Sequence, residues 1–286
     1  MEINIETKLV GLLGYPLGQS LSPVMQNRAF EFCNLNKIYI PIEVVTENLE
    51  EVVNGIKRMN FDGFNITKPH KIEIIKHLDE IDDNAKYIGA VNTVTIKNGI
   101  LKGYNTDGTG FLKSFEENTG EKIDDKNIFI LGSGGAARAI SMTLALNKAK
   151  KIYICNRTYE KAVKLTDDIN DYVGGLSIAI PMIYEEVEKA VKVSDVLINC
   201  TSIGMYPKSE DSPIEKNMLN KNLIVCDIVY NPRKTKLIRD AEEKGCKTVV
   251  GLFMLLYQGM KAFELWTDIK APVDTMLQAL DQGLGI

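Results

Sequence analysis

The chain has 286 residues, 45% of them apolar and 25% charged, with 22 glycines and only 9 prolines. That composition excludes a disordered, collagen-like or coiled-coil protein, and the length predicts about two domains. Lysine plus arginine number 34 against 38 for aspartate plus glutamate, a net charge of -4 that gives no positive field for a phosphate backbone, so nucleic acid is not expected as a partner. Cys33, Cys155, Cys200, Cys226 and Cys246 form an odd set without a C-x-x-C pair, which fits a reducing compartment. The start carries no basic leader. Residues 249–256, the most apolar stretch, fall far short of the ~18 needed for a membrane span, so a cytoplasmic protein with no membrane partner is expected. Two histidines, His70 and His77, and no cluster at ligand spacing offer little to a metal, and none is expected.

In chain order, residues 8–14 read as a short buried strand, and Ser22-Pro23 opens a helix over 22–32 with Ser22 as N-cap and Pro23 at the first helical position. Residues 38–44 form a second strand. Asn48 can cap a helix ending near Met59, 63–67 give a third strand, a helix starts over 69–77, and 90–96 with 101–104 make a hairpin around Asn98-Gly99. This βαβαβ rhythm predicts an α/β domain with a mostly parallel sheet covered on both faces. A helix follows from Asp107 through Glu117, and 120–126 is a charged turn suited to a domain boundary. The pattern then restarts: strand 127–131, helix 136–147, strand 151–155, helix 158–169, and strands 196–200 and 223–228. Past Gly251, helical patterns over 254–265 and 273–280 close the chain with no strand between them.

Directly after the strand ending at Leu131 comes Gly132-Ser133-Gly134-Gly135-Ala136-Ala137, a G-x-G-x-x-A turn between strand and helix. The first glycine allows the tight turn, the second admits a pyrophosphate to the backbone amides, and the small third residue lets the helix pack close to the sheet. The alternative is a glycine turn that only joins strand to helix. Where an NAD enzyme places a carboxylate for the ribose, this chain has Asn156-Arg157-Thr158 and then Lys161. Arginine and lysine one helical turn apart suit a 2′-phosphate, which favours NADP and leaves NAD as the weaker alternative. Arg157 and Lys161 as solvated charges at a helix start are the plainer reading, one disfavoured at the positive end of a helix.

Four polar motifs lie in the first block: Ser20-Leu-Ser22-Pro, Asn65-Ile-Thr67-Lys-Pro-His70-Lys71, Gly89-Ala-Val-Asn92-Thr and Gly103-Tyr-Asn-Thr-Asp107-Gly. Each falls at a strand end or helix start, where open α/β sheets bind ligands, and their hydroxyls, amides, lysine and aspartate fit a polyhydroxylated small molecule. Singly they are ordinary: Ser22 an N-cap, Asn92 a turn residue, Asp107 a helix cap, Lys71 a surface charge.

Together with Asn199-Cys-Thr-Ser-Ile-Gly204-Met, Asp227-Ile-Val-Tyr230-Asn-Pro and Gly251-Leu-Phe-Met-Leu-Leu-Tyr-Gln258, these motifs resemble the shikimate dehydrogenase family over almost the whole chain. The resemblance implies a two-domain α/β fold. A substrate-binding and catalytic domain over 1–107 is completed by C-terminal helices from about 252 to 286, and a Rossmann-type NADP domain spans 108–251. It implies NADP-linked interconversion of 3-dehydroshikimate and shikimate in aromatic amino acid biosynthesis, with Lys71 and Asp107 as the catalytic pair. Ser20, Ser22, Thr67, Asn92, Asp107, Tyr230 and Gln258 match the family's substrate contacts. Gly132, Ser133, Gly134, Gly135, Ala136, Asn156, Arg157, Thr158, Lys161, Ile228 and Gly251 match its cofactor contacts, with Asp83 as a further cofactor candidate.

Lys71 is then the proton donor to a developing alkoxide, and His70 beside it a bystander. Gln26 stands where many members have histidine and resembles the branch that also accepts quinate. Asp268 replaces a usual glycine and should alter only a turn. The alternatives are a shikimate/quinate dehydrogenase using NAD or NADP, a non-catalytic metabolite or dinucleotide sensor, and, more distantly, another two-domain reductase. Both a monomer and a homodimer are compatible with the sequence.

Overall fold

The computed structural model describes residues 3–18 and 20–285. Two compact units make up the chain, Met1–Asp107 with Leu256–Ile286, and Gly108–Leu255. The charged turn over 120–126 lies inside the second unit, after the division.

The first unit runs β1 (Lys8–Gly14), α1 (Ser22–Phe32), β2 (Lys37–Glu43), α2 (Leu49–Ile56), β3 (Phe61–Ile66), β4 (Glu80–Ile81), α3 (Asp83–Ile88), β5 (Thr93–Lys97) and β6 (Ile100–Tyr104). Its sheet has the order β2-β1-β3-β5-β6-β4. β1 pairs in parallel with β2 and β3, and β4 with β6, whereas β5 is antiparallel to β3 and β6. Leu49, Val53 and Ile56 recur at helical spacing on α2 and join Phe64 and Ile66 in the core. The two-residue connection Asn98-Gly99 closes the β5–β6 hairpin where the sequence expected it.

Two local expectations change. Leu21, not Ser22, holds the N-cap of α1; Ser22 is buried inside the first turn, and its N–H donates to Ser20 Oγ at 3.3 Å. The helix expected over 69–77 shrinks to a 3-10 turn at Glu73–His77, because the Lys71 carbonyl accepts the Val91 N–H at 2.8 Å instead of a helical partner.

The second unit takes α4 (Asp107–Thr119) from its second residue, then β7 (Asn127–Leu131), α5 (Gly135–Leu146), β8 (Lys151–Cys155), α6 (Tyr159–Val173), β9 (Ser177–Ile180) and α7 (Tyr184–Lys192). It continues with β10 (Val196–Asn199), β11 (Ile224–Asp227), α8 (Lys236–Glu243) and β12 (Lys247–Val249). Its six strands are parallel throughout, in the order β12-β11-β10-β7-β8-β9. Counted from β7 this is the doubly wound order of dinucleotide-binding sheets, with its reversal between β7 and β10. Ile128, Phe129, Ile130 and Leu131 are all buried, as a central parallel strand covered on both faces requires.

At the carboxyl ends of β10 and β11 sits a buried carboxylate. Asp227 Oδ1 accepts from Asn199 Nδ2 (3.0 Å) and the Val229 N–H (3.0 Å), and Oδ2 accepts from Thr235 Oγ1 (2.7 Å). Burial pushes its pKa up to about 7 against those three donors. The neighbouring thiols Cys200 and Cys226 are also held high, by burial first and by this carboxylate second.

The chain returns to the first unit through α9 (Gly251–Thr267) and ends in α10 (Val273–Gly283). Phe263 stacks on Phe30 of α1 with ring centroids 5.6 Å apart. Trp266, the single tryptophan, lies across the sheet and donates from Nε1 to Val94 O at 2.9 Å. Gly63 makes that approach possible, since a Cβ there would stand 2.5 Å from Trp266 Nε1.

Two outcomes follow from these contacts. Gly63→Ala overpacks the indole and lowers stability by about 1–3 kcal/mol, read as a drop in the thermal midpoint together with a red shift of the Trp266 emission. For Asp227, the unfolded chain is ionised from about pH 4 upward, while the folded group keeps its proton to about pH 7. The native state therefore binds more protons in that window, and stability falls as pH rises through it, by at most about 1.4 kcal/mol per unit. Asp227→Asn removes this slope, so urea unfolding at several pH values shows the variant gaining on the wild type between about pH 4 and 7.

Candidate active site

One end of the first sheet collects the predicted polar residues. β1 and β3 terminate there, β5 begins there because it runs antiparallel, and β6 terminates there, so Thr67, Lys71, Asn92 and Asp107 come from neighbouring strand ends. Backbone bonds fix each: Thr67 N–H to Leu13 O (2.9 Å), Val91 N–H to Lys71 O (2.8 Å), and Asn92 N–H to Tyr104 O (3.0 Å). Asp107 opens α4, and its N–H donates to Asn105 Oδ1 at 3.1 Å while Asn105 Nδ2 donates to Ala90 O at 2.9 Å.

Lys71 Nζ lies 2.5 Å from Asp107 Oδ2, with the two side chains 16% and 7% exposed. The other carboxylate oxygen accepts from Asn92 Nδ2 at 2.9 Å. Asn92 Oδ1 in turn accepts the Thr106 N–H at 2.8 Å and the Thr93 hydroxyl at 3.1 Å, which fixes the orientation of the amide. Gln258, on α9, brings Oε1 to 3.5 Å from Asn92 Nδ2. The network continues through Asn65, which donates to Thr93 Oγ1 (2.9 Å) and accepts from Tyr39 OH (2.8 Å). Burial holds that phenol well above its usual pKa, so it stays a neutral donor.

Tyr39 and the supporting roles of Asn65, Thr93 and Thr106 were not anticipated. The available signal was an amide and hydroxyls inside otherwise apolar strands, groups that must find partners once buried.

His70 is fully buried, and its Nε2–H donates to Val44 O at 2.6 Å. It braces the turn before Lys71 from within the core. Gln26 is buried as well and donates from Nε2 to Gly259 O at 2.9 Å, beside Gln258. Asp268 follows α9 with φ +56°, the left-handed geometry that favours glycine, and pairs with Lys97 at 3.0 Å.

The cofactor candidates, apart from Asp83, belong to the second unit. Gly132 adopts φ +105°, and a Cβ there would stand 3.1 Å from Cys200 O. Gly134 is the N-cap of α5, and a Cβ on it would meet nothing within 4 Å. The first turn of α5 holds no acidic residue and no side chain caps it, so its free N–H groups and positive end suit an anion. Ala137 is fully buried against the sheet. After β8, Asn156 Nδ2 donates to Thr158 O (2.9 Å), and Thr158 is the N-cap of α6. Arg157 and Lys161 are exposed. Open space at Gly134, uncapped amides and two cations where a carboxylate would repel a 2′-phosphate together fit NADP.

Two candidates stand apart. Asp83 lies in the first unit at the start of α3, where it is 82% exposed and pairs with Lys86 at 3.1 Å. Tyr230 lies in the second unit just after β11, unlike the other substrate candidates.

Comparison with known proteins addresses both units. Family models for the shikimate dehydrogenase substrate binding domain, shikimate / quinate 5-dehydrogenase and the shikimate 5'-dehydrogenase C-terminal domain match residues 12–94, 114–244 and 251–280. A relative from Alkaliphilus oremlandii named shikimate dehydrogenase (NADP(+)) is 48% identical over 287 residues, covering 97% of this chain and 98% of its own. A crystal structure of shikimate dehydrogenase in complex with NADP+ superposes with a TM-score of 0.92 at 41% identity, over 99% of this chain and 98% of that one. Shikimate 5-dehydrogenase from Listeria monocytogenes, solved with shikimate and NAD, gives 0.90 at 40% identity over 97% and 98%. Matched in both units and along nearly its full length, the chain belongs to the shikimate dehydrogenase family.

Proposed function

We propose that the protein is an NADP-dependent shikimate dehydrogenase that interconverts 3-dehydroshikimate and shikimate. The observation that carries this reading is the Lys71–Asp107 pair, 2.5 Å apart and largely withdrawn from water at the polar edge of the first sheet. Reducing a ketone puts charge on its oxygen, and a proton must reach that atom as the charge develops. Lys71 Nζ donates it, and in the reverse direction takes the hydroxyl proton. Asp107 holds the ammonium in place and accepts from the same hydroxyl, with Asn92 keeping the carboxylate from rotating. When bound, NADP supplies or accepts the hydride.

Ser20, Ser22, Thr67, Asn92 and Gln258 offer the hydroxyls and amides that orient a polyhydroxylated ring, and Tyr230 takes the same role on its family motif alone. Gly132 to Ala136 and the amino end of α5 take the pyrophosphate, and Arg157 with Lys161 the 2′-phosphate. Asn156, Thr158, Ile228 and Gly251 complete the cofactor set, and Asp83 is its weakest member, given its surface pair with Lys86. Five free cysteines support a cytoplasmic setting.

Initial rates with shikimate or quinate, each against NADP or NAD, test the reading. The highest kcat/KM is expected for shikimate with NADP, and no turnover with any pair would remove it. Lys71→Ala should lower kcat by ~10²–10⁴-fold with little change in KM. A variant that keeps its turnover makes Lys71 a binding group only. Arg157→Ala should raise KM for NADP and leave that for NAD unchanged: one charge-assisted bond of ~1.5–3 kcal/mol corresponds to roughly a 10- to 150-fold loss. An equal loss with both cofactors would instead mean that Arg157 stacks on the adenine.

A further inference from the structure

In the second sheet β7 and β10 are neighbours at the reversal of strand order, so the Gly132 turn after β7 rises beside the segment after β10. A Cβ on Gly132 would lie 3.1 Å from Cys200 O and 3.3 Å from Thr201 Cγ2, and Cys200 N–H donates to Leu131 O at 2.8 Å. The Cys200–Thr201 backbone is therefore one wall of the turn. Asn199 holds that wall: its Oδ1 accepts from Thr201 N–H (3.0 Å) and Oγ1 (2.7 Å), and its Nδ2 donates to Ile203 O (3.3 Å) and to Asp227 Oδ1 (3.0 Å).

Asp227 also takes the Val229 N–H, and thereby sets the Ile228–Val229 peptide. That peptide fills the space above Gly251, where a Cβ would stand 2.5 Å from Ile228 O and Val229 O. Gly132, Ile228 and Gly251 are thus all braced by one carboxylate. With 2% of its surface exposed, Asp227 cannot itself reach a ligand.

We propose that Asp227 is a positioning residue for the dinucleotide: through Asn199 and the Val229 amide it holds the Gly132 turn and Ile228 in the shape that receives the cofactor. The inference rests on reading the second unit as the dinucleotide site. It has a chemical signature, because Asn at this position keeps an Oδ1 acceptor for Asn199 and Val229, whereas Ala takes the acceptor away from the Val229 N–H and leaves Asn199 Nδ2 only its bond to Ile203 O.

The test measures the Kd of the full-length protein for NADP+ and for NAD+ by calorimetry, and KM for shikimate at saturating NADP+. Asp227→Ala should weaken both dinucleotides by the same factor, about tenfold or more, with shikimate KM within about twofold of wild type. Asp227→Asn should return both to within about threefold. Thr201→Val, which removes the hydroxyl's bond to Asn199 Oδ1 and its bond from the Ile203 N–H and leaves Asp227 untouched, should give a smaller loss of the same kind, and it carries the test if Asp227→Ala does not fold. Unchanged dinucleotide affinity in Asp227→Ala or in Thr201→Val, a loss confined to NADP+, or an equal loss for shikimate would overturn the proposal. A wild-type protein that binds neither dinucleotide overturns the reading of the unit, and this proposal with it.

Discussion

A carboxylate taken out of water is stable only among donors, and Asp107 shows how much structure that requirement can organise. Leaving such a charge unpaired costs several kcal/mol, so each of its oxygens must be met, one by Lys71 and the other by Asn92. Meeting them with fixed geometry needs three strand ends at one edge of the sheet. The antiparallel β5 supplies the third, because it starts where β3 and β6 stop. Asn92 can serve only in one rotamer, which Thr93 and Thr106 enforce. The polar network of Lys71, Asn92, Thr93 and Thr106 at this edge thus answers the demands of a single buried carboxylate.

The second unit handles negative charge by the opposite means. No side chain caps α5 and no acid occupies its first turn, so the backbone amides themselves are left to find an anion. This needs glycine more than it needs chemistry-bearing side chains. The two exposed cations beyond β8, Arg157 and Lys161, are side-chain charges of the kind that suits a 2′-phosphate, set apart from the backbone amides of α5.

How much of this was legible in the sequence depended on range. Local chemistry was: Ser22-Pro23 marks the start of α1, Asn98-Gly99 the hairpin, and Gly132-Ser133-Gly134 the turn between β7 and α5, each through contacts within a few residues. Long-range competition was not. The run over 69–77 has helical character, yet the Lys71 carbonyl is claimed by Val91, twenty positions on, and only a 3-10 turn survives. β4, a two-residue strand, and β9, a short edge strand with half-exposed residues, have too little pattern to show. α7 did carry a signal, in Val187, Ala190 and Val191 at helical spacing behind acidic residues. At the site, Lys71 and Asp107 stood out by type and motif, whereas Tyr39 stayed hidden because its role lies in reaching Asn65, a contact that exists only after the sheet has formed.

The discontinuity of the first unit has a consequence for the order in which the protein is made. Gln258 and Trp266 lie on the part of α9 that the ribosome delivers after all of residues 108–255. The inserted unit, contiguous in sequence, can close while the earlier segment still waits for its last two helices, reversing the usual precedence of the N-terminal part during synthesis. Until α9 arrives, the face of the sheet around Gly63 stays open to water and Asn92 lacks its neighbour Gln258. A nascent chain released early would therefore carry a finished nucleotide fold beside an unfinished, sticky sheet, so the burden on chaperones falls on the first residues translated, not the last.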